Sequence, residues 1–180
     1  HPNIAKVIDA GTAQDGRPYF VMDWIQGISL TDYCVQHNCS IEQKIQLMIQ
    51  ACHAVQHAHQ KGIVHRDLKP GNLLVTEIDG HPEVKIIDFG VAKALHASWQ
   101  RDSHSTAFGQ IVGTWQYMAP EQAGRLSSDI DTRADIYALG VILYEILTGE
   151  LPHTCAKKQD SSDLNPEDHH DATPLLPSQC

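Results

Sequence analysis

No stretch of this 180-residue chain stays apolar for the roughly 20 residues that a membrane-spanning helix needs, and no charged-then-apolar leader opens it. The segment therefore reads as soluble, with no membrane contact of its own. Basic residues are few: 13 Lys and Arg stand against 22 Asp and Glu, a formal charge of -9. Sequence-independent nucleic-acid binding needs clustered Lys and Arg, so no nucleic-acid partner is expected. Cysteine is sparse as well, with five at 34, 39, 52, 155 and 180 and no CxxC pair. That spacing supplies no disulfide framework and points to reduced thiols in a cytoplasmic compartment. An initiator Met is also lacking. The chain opens His1-Pro2-Asn3-Ile4 directly before a strand-like run, as expected of a segment cut from something longer, whose remainder could carry a membrane anchor.

What is present has the composition of a folded domain, 42% hydrophobic and 19% charged, at a length one core can serve. Apolar runs at Ile4 to Ala10 and Tyr19 to Trp24 flank Asp15-Gly16, a hairpin signal between two antiparallel strands. Ser29 is placed to cap a short helix. Ser40, with Gln43 three residues on, forms a capping box for a longer one. Along that helix Ile45, Met48, Ile49, Cys52 and Val55 recur at spacings of three and four, predicting one core-facing stripe that ends by Gly62. Asp79-Gly80 predicts a second hairpin between Asn72 to Thr76 and Glu83 to Ile87. Ile136 to Leu147 reads as a helix apolar on nearly every side, with Gly149 to end it. From 154 to 180 the composition turns polar without periodicity, which predicts a poorly ordered tail after a domain of residues 1–153.

The polar chemistry concentrates between these elements. His65-Arg66-Asp67-Leu68-Lys69-Pro70-Gly71-Asn72 joins the long helix to the second hairpin. Asp88-Phe89-Gly90 follows the hairpin, and Ala119-Pro120-Glu121 comes after a polar stretch. Three such motifs in this order, at workable spacings, make coincidence a poor explanation, although any one tripeptide alone would be weak.

With these motifs the chain resembles the protein kinase family over about 150 residues, from the family's fourth strand to its sixth helix, and is most similar to the eukaryotic-like serine/threonine kinases of bacteria. The resemblance implies an α+β, protein-kinase-like fold in part: two strands of the N-terminal lobe plus the first, mainly helical half of the C-terminal lobe. It implies ATP and Mg²⁺ as cofactors and proteins with Ser or Thr acceptors as partners. Phosphoryl transfer needs positioning and cancellation of charge, which explains an acid, bases and an amide in one loop. By resemblance Asp67 accepts the substrate hydroxyl proton, Lys69 lies beside the γ-phosphate, and Asn72 and Asp88 are the oxygen ligands of Mg²⁺. Met22 lies at the hinge, Asp23 and Ile25 would pair with adenine through their backbones, and Leu74 would form its floor.

The same resemblance gives supporting roles to His65, Arg66, Phe89, Gly90 and Glu121, and makes Asp135 a carboxylate that holds the catalytic loop. Thr114 matches the threonine that marks serine/threonine kinases. Ser98, Ser103, Ser105 and Thr106 lie in a polar segment suited to a phosphorylated switch, with Arg66 and Lys93 to receive the phosphate, but Gln110 occupies the usual phosphorylated position. Trp115 stands where many relatives have Pro, beside the expected peptide groove. His53 and His57 are spaced for two metal ligands on a helix, yet no HExxH Glu lies between them.

Departures from the family pattern keep three readings in play. No glycine-rich phosphate loop, strand-three Lys or helix-C Glu occurs between His1 and Cys180, and the tail does not match the family's later helices. The chain is expected to be part of an active kinase, inactive alone. The alternatives are a truncated pseudokinase that acts by binding and a small-molecule phosphotransferase of kinase-like fold. Ala119-Pro120-Glu121 and the long segment before it disfavour the last.

Overall fold

Asp15-Gly16 turns the chain where the sequence predicts. In the computed structural model, which describes residues 1–89, 115–123 and 131–152, strands β1 (Val7–Thr12) and β2 (Pro18–Met22) pair antiparallel. Gly16 adopts φ 82°, a left-handed conformation that glycine takes without steric cost. Both apolar runs extend beyond their strands. Trp24 lies past the end of β2, 92% exposed. At the other end, Asn3 to Ala5 runs beside a later strand: the Ile86 N–H bonds the Asn3 carbonyl at 2.8 Å and the Ala5 N–H bonds the Ile86 carbonyl at 2.9 Å.

The second hairpin also forms, as β4 (Leu73–Ile78) and β5 (His81–Ile86) around Asp79-Gly80, both with positive φ. A further strand, β3 (Ile28–Ser29), adds to β4 with Ile28 opposite Val75 and Ser29 opposite Leu74. Two residues are too few for alternation to register, so the sequence gives no sign of it.

Ser29 then caps α1 (Leu30–Gln36), its Oγ accepting the Asp32 N–H at 3.2 Å. Ser40 opens α2 (Ile41–His59) with the reciprocal capping box. The Gln43 N–H bonds the Ser40 Oγ at 3.3 Å, and the Ser40 N–H bonds the Gln43 Oε1 at 2.8 Å. The buried face of α2 differs from the predicted stripe. Met48 and Val55 are buried as expected, but Leu47, Ala51, Ala54 and Ala58 complete the face, while Ile45, Ile49 and Cys52 point outward. Small alanines let the neighbouring backbones approach, and that outweighs the larger apolar side chains one step around the helix.

A short α3 (Pro120–Ala123) precedes α4 (Thr132–Thr148). Asp131 is the N-cap of α4, accepting the Arg133 N–H at 2.8 Å, so Asp135 lies inside the first turn and does not begin the helix. Gly149 ends it at φ 80°. Although the sequence is apolar almost all round, Ile136 is 59% exposed. Leu30, Leu47, Leu73, Ile86 and Ile142 meet in the core with almost no exposure, each burial contributing about 1.5–3 kcal/mol. None of the helices described is long and apolar enough to cross a membrane. Gly90, Lys93, Thr114 and the serines between them lie outside the described residues, as does the tail from 154.

Candidate active site

Residues 65–72 run between α2 and β4, and their shape is fixed by bonds to buried groups. Asp135, 1% exposed, reaches this loop from α4. Its Oδ2 accepts the His65 N–H at 2.8 Å and its Oδ1 the Arg66 N–H at 2.8 Å. A third donor is His59, at the end of α2, whose Nε2 lies 2.7 Å from Oδ2. A buried carboxylate needs such partners to be tolerated. The bonds hold the backbone through Arg66, which adopts φ 70°, a conformation unfavourable for a residue with a side chain.

His65 braces the loop from the other side. Its Nδ1 accepts the Asp67 N–H at 3.2 Å, and its Nε2 donates to the Ile87 carbonyl at 2.9 Å. One nitrogen accepting and the other donating requires neutral imidazole with the proton on Nε2. Burial, the largest influence, holds its pKa below the ordinary histidine value and against the pull of Asp135, Asp67 and Asp88. The Phe89 ring meets the imidazole edge-on at 4.7 Å.

Three polar side chains converge beyond this brace. Lys69 Nζ donates to Asp67 Oδ2 at 2.8 Å. Asn72 Nδ2 donates to the Asp67 carbonyl at 2.8 Å and to Oδ2 at 3.3 Å. Asn72 is buried at the end of a 3₁₀ turn (Pro70–Asn72), and its carbonyl accepts the Ile87 N–H at 3.0 Å, tying the loop to the residue before Asp88. Asp88 is exposed, with φ 61°. Because the Asn72 amide nitrogen is committed to Asp67, its Oδ1 remains a hard oxygen donor, and Asp88 adds a carboxylate. That donor set fits Mg²⁺, which takes oxygen ligands.

Of the residues expected to hold adenine, Met22 belongs to the β1–β2 sheet, Asp23 and Ile25 follow it, and Leu74 belongs to the β3–β4–β5 sheet. Met22 ends β2. The Asp23 N–H bonds the Lys6 carbonyl at 2.9 Å, and its Oδ2 accepts the Lys6 N–H at 3.1 Å. Ile25 is half-buried, and Leu74 lies on β4 opposite Lys85 and Ser29. Glu121 is exposed on α3.

Residues unmarked by motif reasoning complete the frame. Gln122 Nε2 donates to the Arg66 carbonyl at 2.8 Å while its Oε1 accepts the Ala119 N–H at 3.1 Å, so the Ala119-Pro120-Glu121 segment is pinned to the loop. The Tyr117 hydroxyl donates to Glu145 at 2.9 Å, and burial raises both pKa values. Gln50 fastens α2 to β5, accepting the Val84 N–H at 2.9 Å and donating to the Pro82 carbonyl at 3.2 Å. The one usable signal was helical spacing: His59 lies four residues beyond the buried Val55, on the face that turns toward α4.

Comparison with known proteins matches residues 1–174 to the protein kinase domain. The chain is 38% identical over 158 residues to serine/threonine-protein kinase PknB of Mycobacterium tuberculosis, covering 86% of this chain and 24% of the relative. It is 44% identical over 153 residues to serine/threonine-protein kinase Pkn1 of Myxococcus xanthus, covering 84% of this chain and 21% of that protein. The chain thus spans about a quarter of the length of these curated relatives. Among solved structures, the M. tuberculosis PknI kinase domain aligns with a TM-score of 0.61 at 28% identity, over 84% of this chain and 53% of that one. Ordered motifs, the α+β fold and these matches agree: the chain belongs to the protein kinase family, alongside bacterial serine/threonine kinases.

Proposed function

We propose that the protein carrying this chain is a serine/threonine protein kinase that moves the γ-phosphate of ATP to Ser or Thr hydroxyls of protein substrates. The observation that carries this reading is the convergence of Lys69 and Asn72 on the Asp67 carboxylate, over a backbone held by Asp135. Asp67 orients the substrate hydroxyl and takes its proton as the oxygen bonds to the γ-phosphorus and the bond to the ADP oxygen breaks. Lys69 offsets the charge that gathers on the transferring group. Asn72 Oδ1 and Asp88 would hold Mg²⁺, which would supply neutralisation of phosphate charge. Adenine lies between Met22, the backbone of Asp23 and Ile25, and Leu74. With the Asp23 N–H committed to Lys6, its carbonyl is the group left to meet the base.

His65, Arg66, Phe89, Gly90, Glu121 and Asp135 position this machinery, while Lys93 and Thr114 serve the segment that meets the protein substrate. Residues 1–180 alone contain no glycine-rich phosphate loop, and by themselves they do not transfer phosphate. The test is incubation of the full-length protein with γ-labelled ATP, Mg²⁺ and a generic basic protein, followed by phosphoamino-acid analysis, with residues 1–180 assayed in parallel. Phosphoserine and phosphothreonine from the full-length protein alone are expected. Nucleotide binding without label transfer would replace this reading with a pseudokinase, and label on a small molecule alone would indicate a small-molecule phosphotransferase.

A further inference from the structure

Cys34 and Cys39 stand at the two ends of the bond that closes α1. The helix finishes in a Schellman arrangement. Asn38 turns the chain at φ 46°, the Asn38 N–H bonds the Val35 carbonyl at 3.2 Å, and the Cys39 N–H bonds the Cys34 carbonyl at 3.0 Å. In this motif the side chains at the positions of Cys34 and Cys39 come together, and they are ordinarily an apolar pair. Here both are thiols, and both are free. Cys34 is 4% exposed in the core, while Cys39 packs against that core and remains half open to solvent. A direct backbone bond also keeps the two Cα atoms near the roughly 4.4–6.8 Å that a disulfide spans.

We propose that Cys34 and Cys39 form a reversible intrachain disulfide, a modification site at the end of α1, when the protein meets hydrogen peroxide. Solvent access assigns the opening step to Cys39. Its thiolate sulfur attacks one peroxide oxygen, the O–O bond breaks, and the departing hydroxide takes up a proton as water, leaving Cys39 as sulfenic acid. The Cys34 sulfur then attacks the Cys39 sulfur. The S–S bond forms, the S–O bond breaks, and the oxygen leaves as a second water with the Cys34 proton. Two thiols are oxidised and one peroxide is reduced to two waters. Burial, with the Cys39 thiol beside it, pushes the Cys34 thiol up to about 11, so at neutral pH Cys34 waits as the resolving thiol. The site is independent of the kinase reading. It nonetheless lies on the helix that follows β3, whose Ser29 pairs with Leu74.

No Lys or Arg separates the two cysteines, so one tryptic peptide carries both. The full-length protein is treated with hydrogen peroxide, its remaining thiols are alkylated, and peptides are mapped without reduction, folded and in guanidinium. In the folded protein this peptide should be unalkylated and lighter by two hydrogens, a change that dithiothreitol reverses. Cys52, exposed on α2, should stay alkylated. The 34–39 bridge should form about tenfold faster folded than unfolded, because native geometry aligns the pair. Cys34→Ser should stop Cys39 at sulfenic acid, trapped by dimedone. Equal rates folded and unfolded, pairing of either cysteine with 52, 155 or 180, or Cys39 oxidised beyond sulfenic acid with Cys34 untouched would overturn the proposal.

Discussion

A carboxylate nearly closed off from water must find its donors inside the protein, and Asp135 finds the backbone amides of His65 and Arg66 and the His59 ring. Asp135→Ala leaves those amides buried without an acceptor. Removing one partner of a buried charged network costs about 3–5 kcal/mol, so the variant's urea midpoint should fall accordingly and amide protection at His65 and Arg66 should disappear in hydrogen exchange. Unchanged protection would remove Asp135 from its supporting role. His65 makes a second prediction, about pH. Its folded pKa lies below the unfolded value, so as pH falls through about 6.5 the unfolded chain takes up a proton that the folded loop refuses. The stability from neutral His65 is present above that range and declines as pH drops through it. Urea unfolding between pH 8 and 5 should show this decline, and His65→Asn should flatten it; parallel profiles for both proteins would contradict the assignment. Residue identities in the loop were legible because HRD- and DFG-type strings are local. The backbone partners of Asp135 are legible only through the family, since His65 and Asp135 are 70 positions apart and no local pattern joins them.

At the scale of elements, local chemistry carried furthest where one or two residues decide a backbone. Asp15-Gly16 and Asp79-Gly80 gave both hairpins, and Ser40 with Gln43 gave the start of α2. It failed where packing decides. The spacing predicts a stripe that includes Ile45, Ile49 and Cys52, but the core takes Ala51, Ala54 and Ala58, which allow close approach, and leaves Ile45 36% and Ile49 39% exposed. Strand β3 was missed because it has only two residues, and Gly27 just before it shows how tightly it seats. A Cβ there would stand 2.6 Å from the Val75 carbonyl oxygen, backbone that cannot yield without moving β4. Gly27→Ala should therefore cost about 1–3 kcal/mol in urea unfolding and weaken ATP affinity, because the displaced strand carries Leu74 with it. A variant with wild-type stability and affinity would show that β3 does not set the position of Leu74.

Across the whole molecule, the site is assembled from pieces far apart in the chain: a loop after α2, the end of β5, the first turn of α4 and a glutamine on α3. Each piece alone has an ordinary structural explanation. Asn72 before a strand is usually a turn former, and Asp131 on the same chain is simply a cap. What separates Asp67 from such residues is the convergence of a cation and an amide on its carboxylate while the backbone beneath it is fixed. In the proposed role Asp67 takes the substrate proton and touches little of the nucleotide, so its loss should appear in the chemical step and leave binding nearly intact. The decisive measurement is phosphate incorporation from γ-labelled ATP into a protein substrate by the full-length protein and its Asp67→Asn variant, with ATP affinity determined for both. A fall in kcat of about 10²-fold or more, at the scale of losing a general base, with ATP affinity within a few-fold of wild type, is predicted. An Asp67→Asn protein that retains most of the wild-type kcat would contradict the account.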